Sequence, residues 1–172
     1  IRDRLIPNKE FRIYYSNDLI GTQIGGSLKN IYAIAAGVAE GLNLGENAKS
    51  ALISRSFAEM TRYAKKFKAD KNTLFGLSGL GDLILTCSSK NSRNTQFGIK
   101  LASSKYDNFL DLLKSQEVTE GYYTVKAVYN ISQKKNIDMP IMESVYNILY
   151  KQHDLKEELS NLLSRPITEE KI

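Results

Sequence analysis

Lys29 is the residue whose surroundings most strongly indicate chemistry. It is the only charged residue between Asp18 and Glu40, in a run that is otherwise apolar or small. A lysine is strongly hydrated and is rarely fully buried without a partner. Desolvation makes the proton of a lysine easier to release, so a lone lysine in such a run is a candidate for proton transfer at neutral pH. A lysine that extends from a core helix to the surface fits the same run equally well.

A second group of polar residues lies in the glycine-rich stretch 76–98. Three of its glycines permit positive φ and a close approach of the backbone to a ligand: Gly76, Gly79 and Gly81. We expect Asp82 to cap a short helix and Ser92 to begin another. Backbone N–H groups at a helix start, together with a hydroxyl and the Arg93 guanidinium, form an anion site suited to phosphate. Either half alone fits an ordinary capped loop, but both together favour a ligand site.

The composition of the chain argues against several classes of protein. The 172 residues suit one domain, and the basic residues behind the net charge of +5 are scattered among acidic ones, so we expect no nucleic-acid partner. The single cysteine, Cys87, excludes an internal disulfide and fits a reducing compartment. With only one histidine, His153, the usual zinc frameworks are excluded and we expect no metal site. No apolar run reaches the ~18 residues of a membrane span, so we expect a cytoplasmic protein.

Hydrophobic spacing predicts a mostly helical chain. Alternation over 11–15 predicts a short strand, and helical periodicity predicts long helices over 22–42 and 46–67. Further helices are expected over 82–86, 92–103, 108–114, 123–134, 140–152 and 154–163. A lone strand cannot form a sheet, so the strand is expected to pair with something outside these residues.

Several motifs occur in one order along nearly the whole chain. They are 18–37 with its Gly-Gly-Ser-Leu-Lys-Asn core, Arg55-x-x-x-Glu59-Met60, 79–87 (Gly-Leu-Gly-Asp-Leu-Ile-Leu-Thr-Cys), 92–98 (Ser-Arg-Asn-Thr-Gln-Phe-Gly), 118–121 (Val-Thr-Glu-Gly) and 139–144 (Met-Pro-Ile-Met-Glu-Ser). Together they resemble the C-terminal half of bacterial NAD(P)-dependent sn-glycerol-3-phosphate dehydrogenase. No single motif would be sufficient, whereas their ordered series is highly specific.

The resemblance implies an all-α fold: a multi-helix bundle like the C-terminal domain of 6-phosphogluconate dehydrogenase. We expect this helical substrate-binding domain over 18–172 and the end of a Rossmann nucleotide-binding domain over 1–17, including the strand at 11–15. The glycine-rich dinucleotide fingerprint does not occur in these residues, because no strand precedes the Gly79-Leu-Gly81 turn and no third glycine closes it. With Ile1 in place of methionine, we therefore expect the main nucleotide-binding domain to be missing.

The resemblance also implies an activity and a set of roles. The activity is the interconversion of sn-glycerol 3-phosphate and dihydroxyacetone phosphate with NAD or NADP, for glycerophospholipid synthesis. Lys29 matches the catalytic lysine, which would donate a proton as hydride arrives. The residues that match substrate contacts are Lys29, Asn30, Asp82, Thr86, Ser92, Arg93 and Asn94. The residues that match cofactor contacts are Arg93, Val118 and Glu120.

Two alternatives remain open from the sequence. The chain fits the helical domain of another NAD(P)-dependent dehydrogenase acting on a hydroxy acid or sugar acid, and it fits a non-catalytic helical dimerisation module. A homodimer is compatible with each reading.

The remaining residues with reactive side chains are not expected to take part in catalysis. Cys87 is interpreted as structural, and His153 and the Glu157–Glu158 carboxylates as solvated. The ten tyrosines are dispersed in sequence and indicate no stacking platform.

Overall fold

The computed structural model describes residues 13–103 and 119–166, which form a helical bundle. The helices are α1 (Leu19–Gly41), α2 (Glu46–Lys66), α3 (Lys71–Phe75), α4 (Asp82–Ser88), α5 (Arg93–Ala102), α6 (Glu120–Lys135), α7 (Pro140–Lys151) and α8 (Leu155–Leu163), with a π-helical turn at Leu77–Gly81 between α3 and α4. The all-α prediction is confirmed, and most helix ends lie close to their expected positions. Helix α3 was not predicted, and the helix expected over 108–114 lies outside the described residues.

The expected strand does not form in the part that the structure describes. Residues 13–15 are not in a strand, and none of the described residues is. A strand without a neighbouring strand makes no inter-strand hydrogen bonds, so nothing stabilises the extended conformation of these residues. The first two residues of the prediction, Phe11 and Arg12, lie outside the described residues.

Helix α1 is the centre of the bundle. It packs against α2, α4, α5, α6 and α7. Its buried side chains recur at helical spacing, and Leu28, Ile31, Tyr32 and Ile34 are almost completely inaccessible to solvent. A helix that is apolar nearly all round is buried by neighbours on several sides. Residues on α1 can therefore meet side chains from several other elements at once.

Glycines set the crossing of α1 and α5. A Cβ at Gly37 would lie 2.0 Å from the Thr95 carbonyl oxygen, and one at Gly98 would lie 2.1 Å from the Ile34 carbonyl oxygen. No real side chain is accommodated at such distances, so the two backbones touch only because both positions are glycine. This close crossing fixes α5, and with it the start of α5 at Arg93, against the site-bearing helix.

A buried glutamate joins three helices. Glu59 on α2 is 1% exposed. Its carboxylate accepts hydrogen bonds from the backbone N–H groups of Ile141 and Met142, at 2.6 and 3.1 Å, and from the Tyr32 hydroxyl at 3.3 Å. The first turn of a helix has unsatisfied N–H donors, and here Glu59 serves as the cap of α7 from a different helix. Burial raises the pKa of Glu59 to about 7, against the lowering effect of the two backbone hydrogen bonds.

Two residues away from the predicted site, Cys87 and Glu158, are buried. Cys87 is fully buried, in agreement with a structural role. The prediction of a solvated Glu158 is wrong: this residue is 4% exposed, and its carboxylate accepts from Asn147 Nδ2 at 3.1 Å and meets His153 Nδ1 at 2.8 Å. The cause is the packing of α8 against α7, which places one of two adjacent glutamates inward.

Several tyrosines stack on one another between α6 and α7. The rings of Tyr129 and Tyr146 lie 3.7 Å apart, centroid to centroid, and nearly parallel. Tyr150 stacks on both Tyr146 and Tyr122, with centroid distances of 5.2 and 4.8 Å. These ring faces pack against one another, so they contribute to helix packing.

Candidate active site

Lys29 and Asp82 form the centre of the predicted site. Lys29 Nζ on α1 donates to Asp82 Oδ2 on α4 at 2.5 Å, and the two side chains are 23% and 30% exposed. The lysine is therefore neither free at the surface nor alone in an apolar core. It is held by one carboxylate in a half-buried position, where an ion pair is less screened than in bulk water.

Asp82 does not cap a helix, contrary to the sequence prediction. Helix α4 continues directly from the π-helical turn, and Asp82 is its first residue. With no free helix start to cap, the carboxylate faces across to α1, and its second oxygen accepts from the Thr86 hydroxyl at 3.3 Å. Both oxygens of Asp82 are thus engaged, one by Lys29 and one by Thr86, which fixes the plane of the carboxylate.

The glycines before Asp82 act through close packing. The positive φ that glycine permits is not adopted at Gly76, Gly79 or Gly81: among the glycines that the structure describes, only Gly45 has a positive φ. A Cβ at Gly79 would lie 2.0 Å from the Leu74 carbonyl oxygen, and one at Gly25 on α1 would lie 2.1 Å from the Ser78 carbonyl oxygen. The tight turn therefore packs directly against α1, one helical turn before Lys29. This contact fixes the position of the next residue, Asp82, along the axis of α1.

Asn30 and Asn94 form a second hydrogen-bonded group beside the first. Asn94 Nδ2 donates to Asn30 Oδ1 at 3.0 Å, and Asn94 Oδ1 accepts from the Gly121 backbone N–H at 3.0 Å. Asn94 is only 5% exposed, whereas Asn30 is half-buried. Of the two predicted substrate contacts, Asn30 is thus the more accessible.

Arg93 and Glu120 form a third pair at the surface. Arg93 Nη2 donates to Glu120 Oε1, and the two side chains are 76% and 53% exposed. Both residues stand at helix starts, Arg93 on α5 and Glu120 on α6. Ser92 caps α5 as predicted, because its hydroxyl accepts from the Thr95 backbone N–H at 3.3 Å. The remaining predicted cofactor contact, Val118, lies outside the described residues.

Sequence reasoning missed two residues that hold this site together. Thr95 is 1% exposed, and its hydroxyl donates to the Thr86 carbonyl oxygen at 2.9 Å, which ties α5 to the end of α4. Gly121 supplies the backbone donor for Asn94. Both residues lie inside motifs, Thr95 in 92–98 and Gly121 in 118–121, and this was the only clue to them in the sequence. Spacing alone does not show which residue of a motif faces the interior.

An apolar cavity elsewhere does not contribute to this chemistry. It has a volume of about 660 Å³ and lies among α1, α2, α7 and α8, with Val38, Leu52 and Leu159 in its lining. None of the predicted site residues lines it. Size and apolar character favour this cavity as a binding place, but the paired charges around Lys29 are the better candidate for a reaction that moves a proton.

Within 13–103 and 119–166, no group of three or more histidine, cysteine, aspartate or glutamate side chains could hold a metal ion. In the same ranges, no helix is long and apolar enough to cross a membrane.

The fold recurs in solved structures of glycerol-3-phosphate dehydrogenases. The chain matches the crystal structure of the enzyme from Coxiella burnetii with a TM-score of 0.85 and 40% identity, covering 92% of this chain and 48% of that one. It matches the Plasmodium falciparum enzyme with a TM-score of 0.79 and 28% identity, covering 92% of this chain and 46% of that one. The shared region in each case is a helical domain of a larger dehydrogenase.

Sequence comparison identifies the family. Residues 18–160 match the family described as NAD-dependent glycerol-3-phosphate dehydrogenase C-terminus, and the chain belongs to this family. Relatives named glycerol-3-phosphate dehydrogenase (NAD(P)+) include those of Colwellia psychrerythraea, 44% identical over 165 residues, and Brachyspira hyodysenteriae, 46% identical over 167 residues. Each match covers 96% of this chain but only 49% and 50% of the relative, so the chain spans about half the length of these proteins.

Proposed function

We propose that the protein is the substrate-binding and catalytic half of a glycerol-3-phosphate dehydrogenase, interconverting sn-glycerol 3-phosphate and dihydroxyacetone phosphate with NAD or NADP. The observation that carries the proposal is the 2.5 Å pair of Lys29 Nζ and Asp82 Oδ2, half-buried within the family-matched region. The pair supplies an ammonium that can give up a proton and a carboxylate that holds it in place. A homodimer and a cytoplasmic location belong to the same proposal.

Lys29 moves the proton in this scheme. NAD or NADP, when bound, supplies or receives the hydride at C2 of the substrate. As the ketone of dihydroxyacetone phosphate is reduced, the Lys29 ammonium gives a proton to the C2 oxygen and becomes a neutral amine. In the reverse direction the amine takes the proton from the C2 hydroxyl. The Asp82 carboxylate orients the lysine through their direct contact.

The phosphate group would lie at the start of α5. Three features support this placement: the exposed Arg93 guanidinium, the cap residue Ser92 and the positive end of a ten-residue helix. A guanidinium can meet a phosphate with two parallel hydrogen bonds. Arg93 also pairs with Glu120 at the start of α6. Val118 and Glu120 are the residues proposed to contact the cofactor, so Arg93 would link the phosphate position to the cofactor position.

The alternatives lack a comparable supporting observation. An arginine also binds the carboxylate of a hydroxy acid, so Arg93 alone does not separate the two dehydrogenases, and the family match over 18–160 is what favours the phosphate substrate. A non-catalytic dimerisation module would not need a half-buried ion pair fixed on both carboxylate oxygens.

The test is a substrate panel on the full-length protein. NADH and NADPH oxidation is followed with dihydroxyacetone phosphate, with unphosphorylated dihydroxyacetone, and with a keto acid and a keto-sugar acid. We expect saturable turnover with dihydroxyacetone phosphate and a much lower kcat/KM for the ketone that lacks the phosphate. Preference for a keto acid would support the rival dehydrogenase, and no oxidation with any substrate would support the non-catalytic module.

A further inference from the structure

The apolar cavity away from the active site is a long groove between α2 and α8. Helix α8 packs against α7, and within the described residues no comparable packing joins α8 to α2. The lining residues of α2 recur at helical spacing from Ala48 to Arg62, over about 21 Å of the helix axis. Leu159 and Leu162 line the opposite side on α8. Two helices thus turn apolar faces toward the same open space.

The size and lining of the groove suit an alkyl chain. Its volume of about 660 Å³ lies within the ~300–1,000 Å³ typical of small-molecule sites. The short side chains of Ala35 and Ala39 on α1 form part of its floor. Among the described residues no aromatic side chain lines it, so it offers no stacking partner for a planar ring. A flexible aliphatic chain fills such a space better.

The groove changes character along its length. One end is lined by Leu42 and Leu101, which lie at the C-terminal ends of α1 and α5, and carries only apolar side chains. Toward the other end the lining includes Arg55, Arg62 and Arg165. An occupant that matches both ends therefore has an apolar tail and a polar head.

Two carboxylates in the lining are already engaged within the bundle. Glu59 accepts from the first backbone N–H groups of α7. The Glu158 carboxylate accepts from Asn147 and contacts His153. Both glutamates are almost completely buried, so neither reaches the mouth of the groove as an exposed negative charge.

The charges at the mouth are mainly positive. Asp138 pairs with both Arg62 and Arg165, at 3.8 and 3.0 Å. Arg55 is exposed and has no ion pair or hydrogen bond with another described residue. One aspartate thus serves two arginines, and a third arginine remains for a ligand. A guanidinium can bind a carboxylate or a phosphate through two parallel hydrogen bonds.

We propose that this groove binds a long-chain anionic amphiphile, with its carboxylate or phosphate head on Arg55 and its alkyl chain along the apolar end. The shape of the groove selects the chain, and the unpaired guanidinium selects the head. The inference goes beyond the proposed function, because none of the proposed active-site residues lines the groove.

Isothermal titration calorimetry of the full-length protein measures this binding, with dodecanoate below its micelle concentration as the probe. We expect saturable binding, and an affinity at least about tenfold lower for octanoate, because fewer methylene groups leave water. Dodecanol keeps the chain but has no charge, and should also bind at least about tenfold more weakly. Equal affinities for dodecanol and dodecanoate would overturn the anionic head.

Dodecyl phosphate distinguishes the two sources of such an anion. Tighter binding of dodecanoate would identify a fatty acid as the preferred ligand, and tighter binding of dodecyl phosphate would identify a phosphate monoester. Either result supports the site.

Two variants on α2 locate the bound probe. Arg55→Gln should weaken dodecanoate binding about tenfold or more and change dodecanol binding by less than about twofold. Its control is Lys65→Gln, an exposed position on α2 outside the lining. Ala51→Trp places a large ring in the groove and should abolish binding of both probes, whereas Ser54→Trp, outside the lining, should not. Wild-type affinity for dodecanoate in Arg55→Gln and Ala51→Trp would overturn the site.

Circular dichroism and sedimentation velocity complete the test. If Ala51→Trp does not fold, Arg55→Gln still decides, because it changes only an exposed side chain. A wild-type protein that binds neither dodecanoate nor dodecyl phosphate would overturn the proposal. If Ala51→Trp then also abolishes self-association of the wild-type protein, the groove is an interface between two copies of the chain.

Discussion

Replacing Glu59 by glutamine should remove a specific part of the pH dependence of stability. Burial raises the pKa of Glu59 from 4.5 to about 7 in the folded protein. Since the folded-state pKa is the higher one, folding favours the protonated acid. This contribution is fully present below pH 4.5 and is lost as the pH rises through about 7.

The size of the effect follows from the interval between the two pKa values. At about 1.4 kcal/mol per pH unit, the rise from 4.5 to about 7 corresponds to about 3 kcal/mol of unfolding free energy. A glutamine at position 59 resembles the protonated acid at every pH and contributes no such dependence. Wild type should therefore lose about 3 kcal/mol relative to Glu59→Gln between about pH 4.5 and about pH 8.

The assay is urea unfolding followed by far-ultraviolet circular dichroism at a series of pH values. Subtracting the two proteins at each pH removes the titration of all the other groups. Glu157→Gln is the control for the substitution itself, because Glu157 is exposed on α8 and lies outside the Glu59 contacts. A flat difference for Glu59→Gln would show that burial does not disfavour the charged form of Glu59.

Three further predictions concern the helix crossing, the proposed phosphate site and the chain itself. Gly37→Ala should lower the free energy of unfolding in urea by about 1–3 kcal/mol or more, because its Cβ would meet the Thr95 carbonyl oxygen at 2.0 Å. Gly26→Ala is the control: a Cβ there has nothing within 4 Å, so the alanine should stabilise α1 by about 1 kcal/mol. Equal effects of the two substitutions would contradict the close crossing. Arg93→Lys in the full-length protein should raise KM for dihydroxyacetone phosphate about tenfold, since an ammonium cannot form the paired hydrogen bonds of a guanidinium, and an unchanged KM would move the phosphate elsewhere. The 172-residue chain alone should give a helical circular dichroism spectrum and no NAD(P)H oxidation, because the cofactor carries the hydride chemistry; turnover by this chain alone would contradict the proposed division of roles.

The sequence predicted those features that depend on local pattern or on a long ordered resemblance. Apolar spacing gave α1 and α2 with nearly correct ends, because a helix buried on a continuous face shows its period directly. The isolated charge of Lys29 indicated that it needed a partner, and the resemblance identified Asp82. The two residues are 53 positions apart, and the structure brings them to 2.5 Å.

Features that depend on how helices cross were not accessible from the sequence. The burial of Glu59 and Glu158 follows from the faces that α2 and α8 turn toward α7, and a glutamate carries no local sign of that choice. Asn94 turns inward because α5 lies in backbone contact with α1 at Gly37. The glycine-rich stretch before Asp82 was expected to form a loop, since glycine content predicts close approach but not the π-helical turn that achieves it.

The most direct test of the central claim is the turnover number of Lys29→Ala in the full-length enzyme. Steady-state reduction of dihydroxyacetone phosphate is measured together with NAD(P)H binding. Lys49→Ala is the matched control, because Lys49 also forms an ion pair, with Glu40 at 2.7 Å, and is not among the predicted site residues. We expect a kcat about 10²–10⁴-fold lower for Lys29→Ala, with cofactor binding retained and Lys49→Ala close to wild type. A Lys29→Ala enzyme with near-normal kcat would contradict the assignment of Lys29 as the proton donor.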